Sequence, residues 1–241
     1  MAEGKCRWGI LGAATIARKN WDAIRRAGNA ELIAVASRSA DRARQFIDEC
    51  QAAAPQPKCP EAVAGYDALL ARADIDAVYV PLPTGIRAEW VVKAAQAGKH
   101  VVCEKPCGVD AGQVRQMIDA CDANGVQFMD GVMFMHSRRL EALRQVFDDG
   151  VSIGEIKRIT SQFSFCAPEE FKTGNIRTHA ALEPLGCLGD LGWYTIRFAL
   201  WTMQFRPPRE VSGRLLSTLQ RPDSPDAVPM EFSGELFFDG G

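Results

Sequence analysis

The first half of the chain repeats one pattern: a short, solidly apolar run, then a helix-compatible stretch. The runs fall at residues 8–11 (WGIL), 31–38 (ELIAVASR), 76–80 (DAVYV), 100–103 (HVVC) and 126–129 (VQFM). The intervening stretches predict helices from 14 into 24–26, then over 41–53, 66–72, 85–97 and 109–124. Gly98 and Gly125 follow two of these stretches, where glycine commonly ends a helix. Pro55, Pro57 and Pro60 predict a loop before 66, and any strand there is poorly marked. Apolar runs alternating with helices imply a parallel sheet covered on both faces.

That alternation stops near Asp130. A helix is predicted over 138–147. The stretch 155–165 (EIKRITSQFSF) alternates partly in phase and predicts a long strand with one covered face. A helix is expected from 188 to 201, and strands over 210–219 and 230–238. The second half is therefore expected to be α+β, with an antiparallel or mixed sheet. Asp239-Gly240 carries a hairpin-turn signal with no strand after it. Three strands alone make a small sheet with two open edges, so the chain is expected to be cut short. The expected division is an alternating α/β domain at 1–130 and a partial α+β domain at 131–241.

Composition narrows the partners. Apolar residues make up 47% and charged residues 24% of the 241, enough for a core. Net charge is −2 and no long basic run occurs, which disfavours nucleic acid or an anionic membrane as partner. No apolar run approaches the roughly 20 residues of a membrane-spanning helix, and MAEGKCRWG has no signal-peptide core. The eight cysteines are scattered without a C-x-x-C pair. They are expected to be reduced and structural, with no metal bound, in a cytoplasmic protein.

Candidate chemistry gathers where predicted strands end. At 7–17 (RWGILGAATIA) a strand stops at Gly12 and a helix follows. Such a turn aims free backbone N–H groups and the positive helix end at an anion; a pyrophosphate is the usual occupant in a first βα unit. Gly12 takes the first position of G-x-G-x-x-G/A, Ala14 the second and Ala17 the third, so the backbone at Gly12, Ala14, Thr15 and Ile16 is the expected contact. Alone, this match also suits an ordinary β-turn-α. After the second strand, the place of a ribose-reading carboxylate holds Ser37, Arg38 and Ser39, with Arg42 one turn on. Guanidinium groups and hydroxyls attract a 2′-phosphate, so NADP is expected rather than NAD. Two later loops end strands at the same sheet edge: Pro81-Leu82-Pro83-Thr84 and Glu104-Lys105-Pro106. Leu82, Pro83, Thr84, Glu104 and Lys105 would then face the coenzyme, with Lys105 beside the nicotinamide. Asp190 and Tyr194, in GCLGDLGWY, are four apart and would share a helix face. A helix-start aspartate and a core tyrosine would explain that pair equally well.

The stretches GILGAATIA, VASRSADRA, DAVYVPLPTGIRAEWVVKAAQAGKHVVCEKP and LGDLGWY together resemble the glucose–fructose oxidoreductase/inositol dehydrogenase (Gfo/Idh/MocA) family. The likeness is greatest to its NADP-dependent dihydrodiol and D-xylose dehydrogenase branch. The resemblance implies a Rossmann domain followed by a domain on a large open sheet, longer than this chain. It also implies that Lys105, Asp190 and Tyr194 hold the catalytic positions. Many relatives have His at the place of Tyr194 and at that of Arg87, and Arg at that of Met135. These departures bear on substrate contacts more than on the coenzyme.

The implied reaction passes a proton from a sugar or cyclic-diol hydroxyl to Tyr194 while hydride goes to the nicotinamide. A phenol titrates near 10 in water, so neutral-pH work needs a positive charge nearby. An ammonium about 4 Å away supplies about 4 kcal/mol at an effective dielectric of about 20. Lys105 could do this if it lies close to Tyr194, and Asp190 could orient the substrate or hold Lys105 charged. Two other readings stay open: an NADP-binding regulator without catalysis, and an inactive fragment of a longer dehydrogenase. A half-built sheet would expose apolar surface and favour association; homo-oligomers are expected of the full-length family.

Overall fold

The computed structural model describes residues 4–239, which divide into two units, one up to Gly131 and one from Val132 on.

In the first unit six strands form one parallel sheet in the order β3-β2-β1-β4-β5-β6. They are β1 (Cys6–Leu11), β2 (Ala30–Ser37), β3 (Glu61–Ala64), β4 (Ala77–Val80), β5 (His100–Cys103) and β6 (Phe128–Asp130). The helices between them are α1 (Ala17–Arg26), α2 (Ala40–Ala53), α3 (Tyr66–Leu70), α4 (Thr84–Gln96) and α5 (Ala111–Ala123). All four residues of β4 are buried, which is why that run carries no polar alternation. Ile10, Val35 and Tyr79 from three adjacent strands pack with Trp21, Ile24, Phe46 and Ile47 from α1 and α2. Ser39 caps α2 by accepting from the Arg42 N–H at 3.3 Å, and Asp110 caps α5 through Gln113 at 2.8 Å. The weakly marked strand after the proline loop is β3, an edge strand paired only with β2, where proline before the strand costs no ladder bond.

This order reverses direction between β1 and β4. A chain that leaves β1 to build one side of the sheet and returns through β4 to build the other opens a crevice beyond their carboxyl ends.

The second unit contains α6 (Arg138–Asp148), α7 (Glu169–Gly174), α8 (Trp193–Thr202), and a two-stranded antiparallel sheet of β7 (Glu210–Leu219) and β8 (Val228–Phe237). One expectation fails here. Residues 155–165 form no strand, and the sheet has two strands rather than three. An extended segment becomes a strand only when a neighbour accepts its ladder, and no described strand lies alongside this one. Its aromatics are instead used singly: Phe163 packs 5.5 Å from the Tyr194 ring and Phe165 5.5 Å from the Phe171 ring, centroid to centroid. The helix expected from 188 begins as a π-turn, Leu188–Gly192, before α8. The Asp239-Gly240 turn signal runs outside the described residues. Among those described, no helix is long and apolar enough to cross a membrane.

Candidate active site

At the end of β1, Gly12 adopts φ +127° and donates its N–H to the Ala36 carbonyl at 2.9 Å. A Cβ there would stand 3.1 Å from Leu82 Cδ2 in the loop after β4. Only glycine meets both demands without strain. Ala14 donates back to the Gly12 carbonyl at 2.9 Å, and Ala17 to the Ala14 carbonyl at 3.0 Å, so residues 12–17 wind directly into α1. Thr15 is exposed and Ile16 is the N-cap residue, which gives no side-chain cap; the first turn carries no acidic residue. A helix start with neither a side-chain cap nor a carboxylate in its first turn keeps its positive end available to an anion, so the turn fits a pyrophosphate. Ala14 in place of the second glycine does not disturb the winding.

Beside it, β2 ends in Ser37, which is buried, and Arg38, which is exposed like Arg42 on α2. The Ser37 carbonyl accepts from the Gly65 N–H at 2.8 Å, bringing the start of α3 against this strand end. Tyr66 therefore stands with the arginines: burial pushes its phenol up, and the positive charges of Arg38 and Arg42 pull it back. Its ring packs edge-on against Trp90 at 4.9 Å. Tyr66 was not singled out from sequence; an aromatic directly after the Gly65 that ends β3 was the available signal. Arg38 and Arg42 thus stand exposed at this strand end, while Ser37 is buried and the Ser39 hydroxyl accepts from the Arg42 N–H.

The loops after β4 and β5 are bound to each other. Leu82 and Thr84 are buried, and Pro83 precedes α4 as its N-cap residue. Glu104 does not present an exposed carboxylate: it is buried, accepting from the Tyr79 hydroxyl at 2.7 Å and from the Lys105 N–H at 3.2 Å. Burial first, and then the Glu104 charge, hold the Tyr79 phenol far above its usual range, so it remains a donor. The Lys105–Pro106 peptide is cis. Arg87, which stands at the place of a histidine in many relatives, is not at the surface. It is 3% exposed and donates to the carbonyls of Leu82, Glu104 and Pro106.

In the second unit Tyr194 lies in the first turn of α8 and Asp190 in the π-turn before it. The Asp190 carboxylate pairs with Arg177 Nε at 2.7 Å, a partner sequence reading did not identify. The Tyr194 ring packs against Phe134 and Phe163, with centroids 5.9 and 5.5 Å away. It borders a pocket of about 260 Å³ lined also by Ser161, Gln162, Thr195 and Phe198. The eight cysteines are free thiols. The Cys107 thiol is held protonated by its hydrogen bond with Cys103 and by burial. Among the described residues no three His, Cys, Asp or Glu side chains gather as a metal site would need.

A six-stranded parallel sheet with a glycine turn at its switch point defines a Rossmann-type fold, and comparison with known proteins makes this specific. Residues 6–132 match the family model described as an oxidoreductase family with an NAD-binding Rossmann fold, and residues 140–241 match the GFO/IDH/MocA C-terminal domain. The chain belongs to the GFO/IDH/MocA oxidoreductase family. It is 38% identical over 194 residues to dTDP-3,4-didehydro-2,6-dideoxy-alpha-D-glucose 3-reductase of Actinomadura kijaniata, covering 80% of this chain and 54% of that protein. D-xylose 1-dehydrogenase (NADP(+)) 2 of Haloferax volcanii is 35% identical over 192 residues, with 80% and 55% covered. Among solved structures, KijD10, a 3-ketoreductase from Actinomadura kijaniata in complex with NADP and TDP-benzene, superposes with a TM-score of 0.74. It is 35% identical, with 83% of this chain and 58% of that one covered. The chain thus spans about half the length of the curated relatives it matches.

Proposed function

We propose that the chain supplies the coenzyme unit, and part of the substrate side, of an NADP-dependent oxidoreductase acting on a sugar or cyclic-diol CH–OH group or its carbonyl. The observation that carries this reading is the pairing of two features at adjacent strand ends: the Gly12 turn with its uncapped helix, and the exposed Arg38 and Arg42. The relatives named for NADP and for sugar substrates support it.

NADP, when bound, supplies a nicotinamide that exchanges hydride with the substrate carbon. The backbone at Gly12, Ala14, Thr15 and Ile16 would hold its pyrophosphate, and Arg38 and Arg42 its 2′-phosphate; Ser37 closes the strand beneath. Leu82, Pro83, Thr84 and Glu104 would shape the wall along it. Lys105 brings an ammonium to the end of β5, where a positive charge favours an oxyanion. Tyr194 would take the proton from the substrate hydroxyl, or return it in reduction. Asp190 is held by Arg177, which suits orienting a hydroxyl better than exchanging its proton. The aromatic walls beside Tyr194 would cover the apolar face of a ring, while Ser161, Gln162 and Thr195 offer hydrogen bonds.

The test is a panel of aldoses, deoxysugars and cyclic diols with NADP⁺ and NAD⁺. Turnover with NADP⁺ on one class is expected. Lys105→Met should collapse it while leaving NADP⁺ binding largely intact, and Tyr194→Phe should lower kcat by about 10²–10⁴-fold. NADP⁺ binding without turnover, or full turnover in Lys105→Met, would overturn the assignment.

A further inference from the structure

We propose that Arg87 is a positioning residue for Lys105. Arg87 rises from the first turn of α4, the helix joining β4 to β5, and is almost wholly buried. Its Nε and Nη2 donate to the carbonyl of Leu82, which follows β4; the Nε bond is 2.8 Å. Its Nη1 donates to the Glu104 carbonyl at 2.8 Å and to that of Pro106. These last two carbonyls belong to the residues on either side of Lys105.

The guanidinium thus ties together the exits of both strands that its own helix connects. On the inner side the same loop is held by the Glu104 carboxylate, which accepts from the Tyr79 hydroxyl at 2.7 Å and the Lys105 N–H at 3.2 Å. Lys105 is therefore braced by its flanking carbonyls and by its own N–H, and its side chain leaves from a backbone with little freedom. The planar fork of a guanidinium can serve three acceptors in fixed directions; an ammonium on a flexible stem is a point charge and cannot reproduce that geometry. With four of its five N–H donors turned onto backbone carbonyls, Arg87 is placed to set the loop rather than to meet a ligand.

The proposal rests on the reading of Lys105 as catalytic, and its test separates the two. Lys105 acylation by acetic anhydride would be followed across pH by peptide mass spectrometry in the full chain, with the exposed Lys19 and Lys58 as internal standards. In Arg87→Gln the Lys105 rate and its pH midpoint should shift while both standards hold. Under turnover, kcat should fall about 100-fold, the order that a displaced reacting group costs, with NADP⁺ affinity essentially kept. Arg87→Lys, which retains a buried cation, should recover part of both. Should Arg87→Gln fail to fold, Arg87→Lys carries the same reading. A folded variant whose Lys105 profile matches the parent overturns the proposal. Full turnover in Lys105→Met would overturn the catalytic reading, while the acylation profile would still decide whether Arg87 places that residue.

Discussion

Strands β2 and β7 are similar in length and opposite in surroundings. β2 lies between β1 and β3, and its last four residues are buried. β7 pairs with β8 alone, and nine of its ten residues are exposed, Val211, Leu215 and Leu216 among them at 65, 53 and 51%. Both runs carry the apolar content of a strand. Burial of apolar surface is worth about 25 cal/mol per Å² only when something removes that surface from water. In the first unit α1 and α2 do so for β1 and β2. The difference teaches that strand-forming sequence and core-forming sequence are separate properties, and that the second depends on what lies over the strand.

Core truncation gives the largest contrast. Ile10→Ala, at a fully buried position, should lower stability by about 2–5 kcal/mol. Leu215→Ala on β7 should change it by no more than about 0.5 kcal/mol. Denaturant unfolding of both variants checks this, and equal losses would break the comparison.

A smaller effect sharpens the picture of the β2 exit. If Arg38 and Arg42 read a 2′-phosphate, each change to Ala should weaken NADP⁺ by roughly tenfold or more, since hydrogen bonds to charged groups contribute about 1.5–3 kcal/mol. NAD⁺ affinity should stay put. Titration with both coenzymes decides it, and parallel losses would argue against that contact.

The smallest effect belongs to the opposite end of β1. Arg7 pairs with Asp76 at 2.6 Å and holds its carboxyl down at about 2, against an ordinary 3.8. A lowered folded value stabilises the fold above pH 3.8, and the contribution fades as pH falls through about 2. Both side chains are more than a third exposed, at 37 and 35%, so solvent screening leaves about 1 kcal/mol. Asp76→Asn should cost that much at pH 7 and progressively less as pH falls through about 2, as melts across pH would show.

Legibility in the sequence follows the same divide. β1, β5 and α2 could be placed to within a residue or two because their signals are local: an apolar run, a glycine, a serine cap. The stretch 155–165, whose alternation is only partly in phase, formed no strand, because its ladder partner is not a local property. At the candidate site Gly12, Arg38 and Lys105 announced themselves by position after a strand. Arg177 and Tyr66 did not, since each acquires its meaning from a neighbour distant in sequence: Asp190 for one, Arg38 and Arg42 for the other. Arg87 was legible only as a departure from the histidine of many relatives, and in the fold it is a buried brace.

By itself the sequence determined that the first unit is a parallel sheet with an anion-ready turn at its start, and that positive charge stands where a coenzyme ribose would be read. Only the tertiary structure decided that Glu104 faces Tyr79, that Arg87 ties two loops, and that the alternation after α6 stays unpaired. Period and turn chemistry act over a few neighbouring residues. A buried hydrogen bond or a strand ladder exists only once distant segments have met.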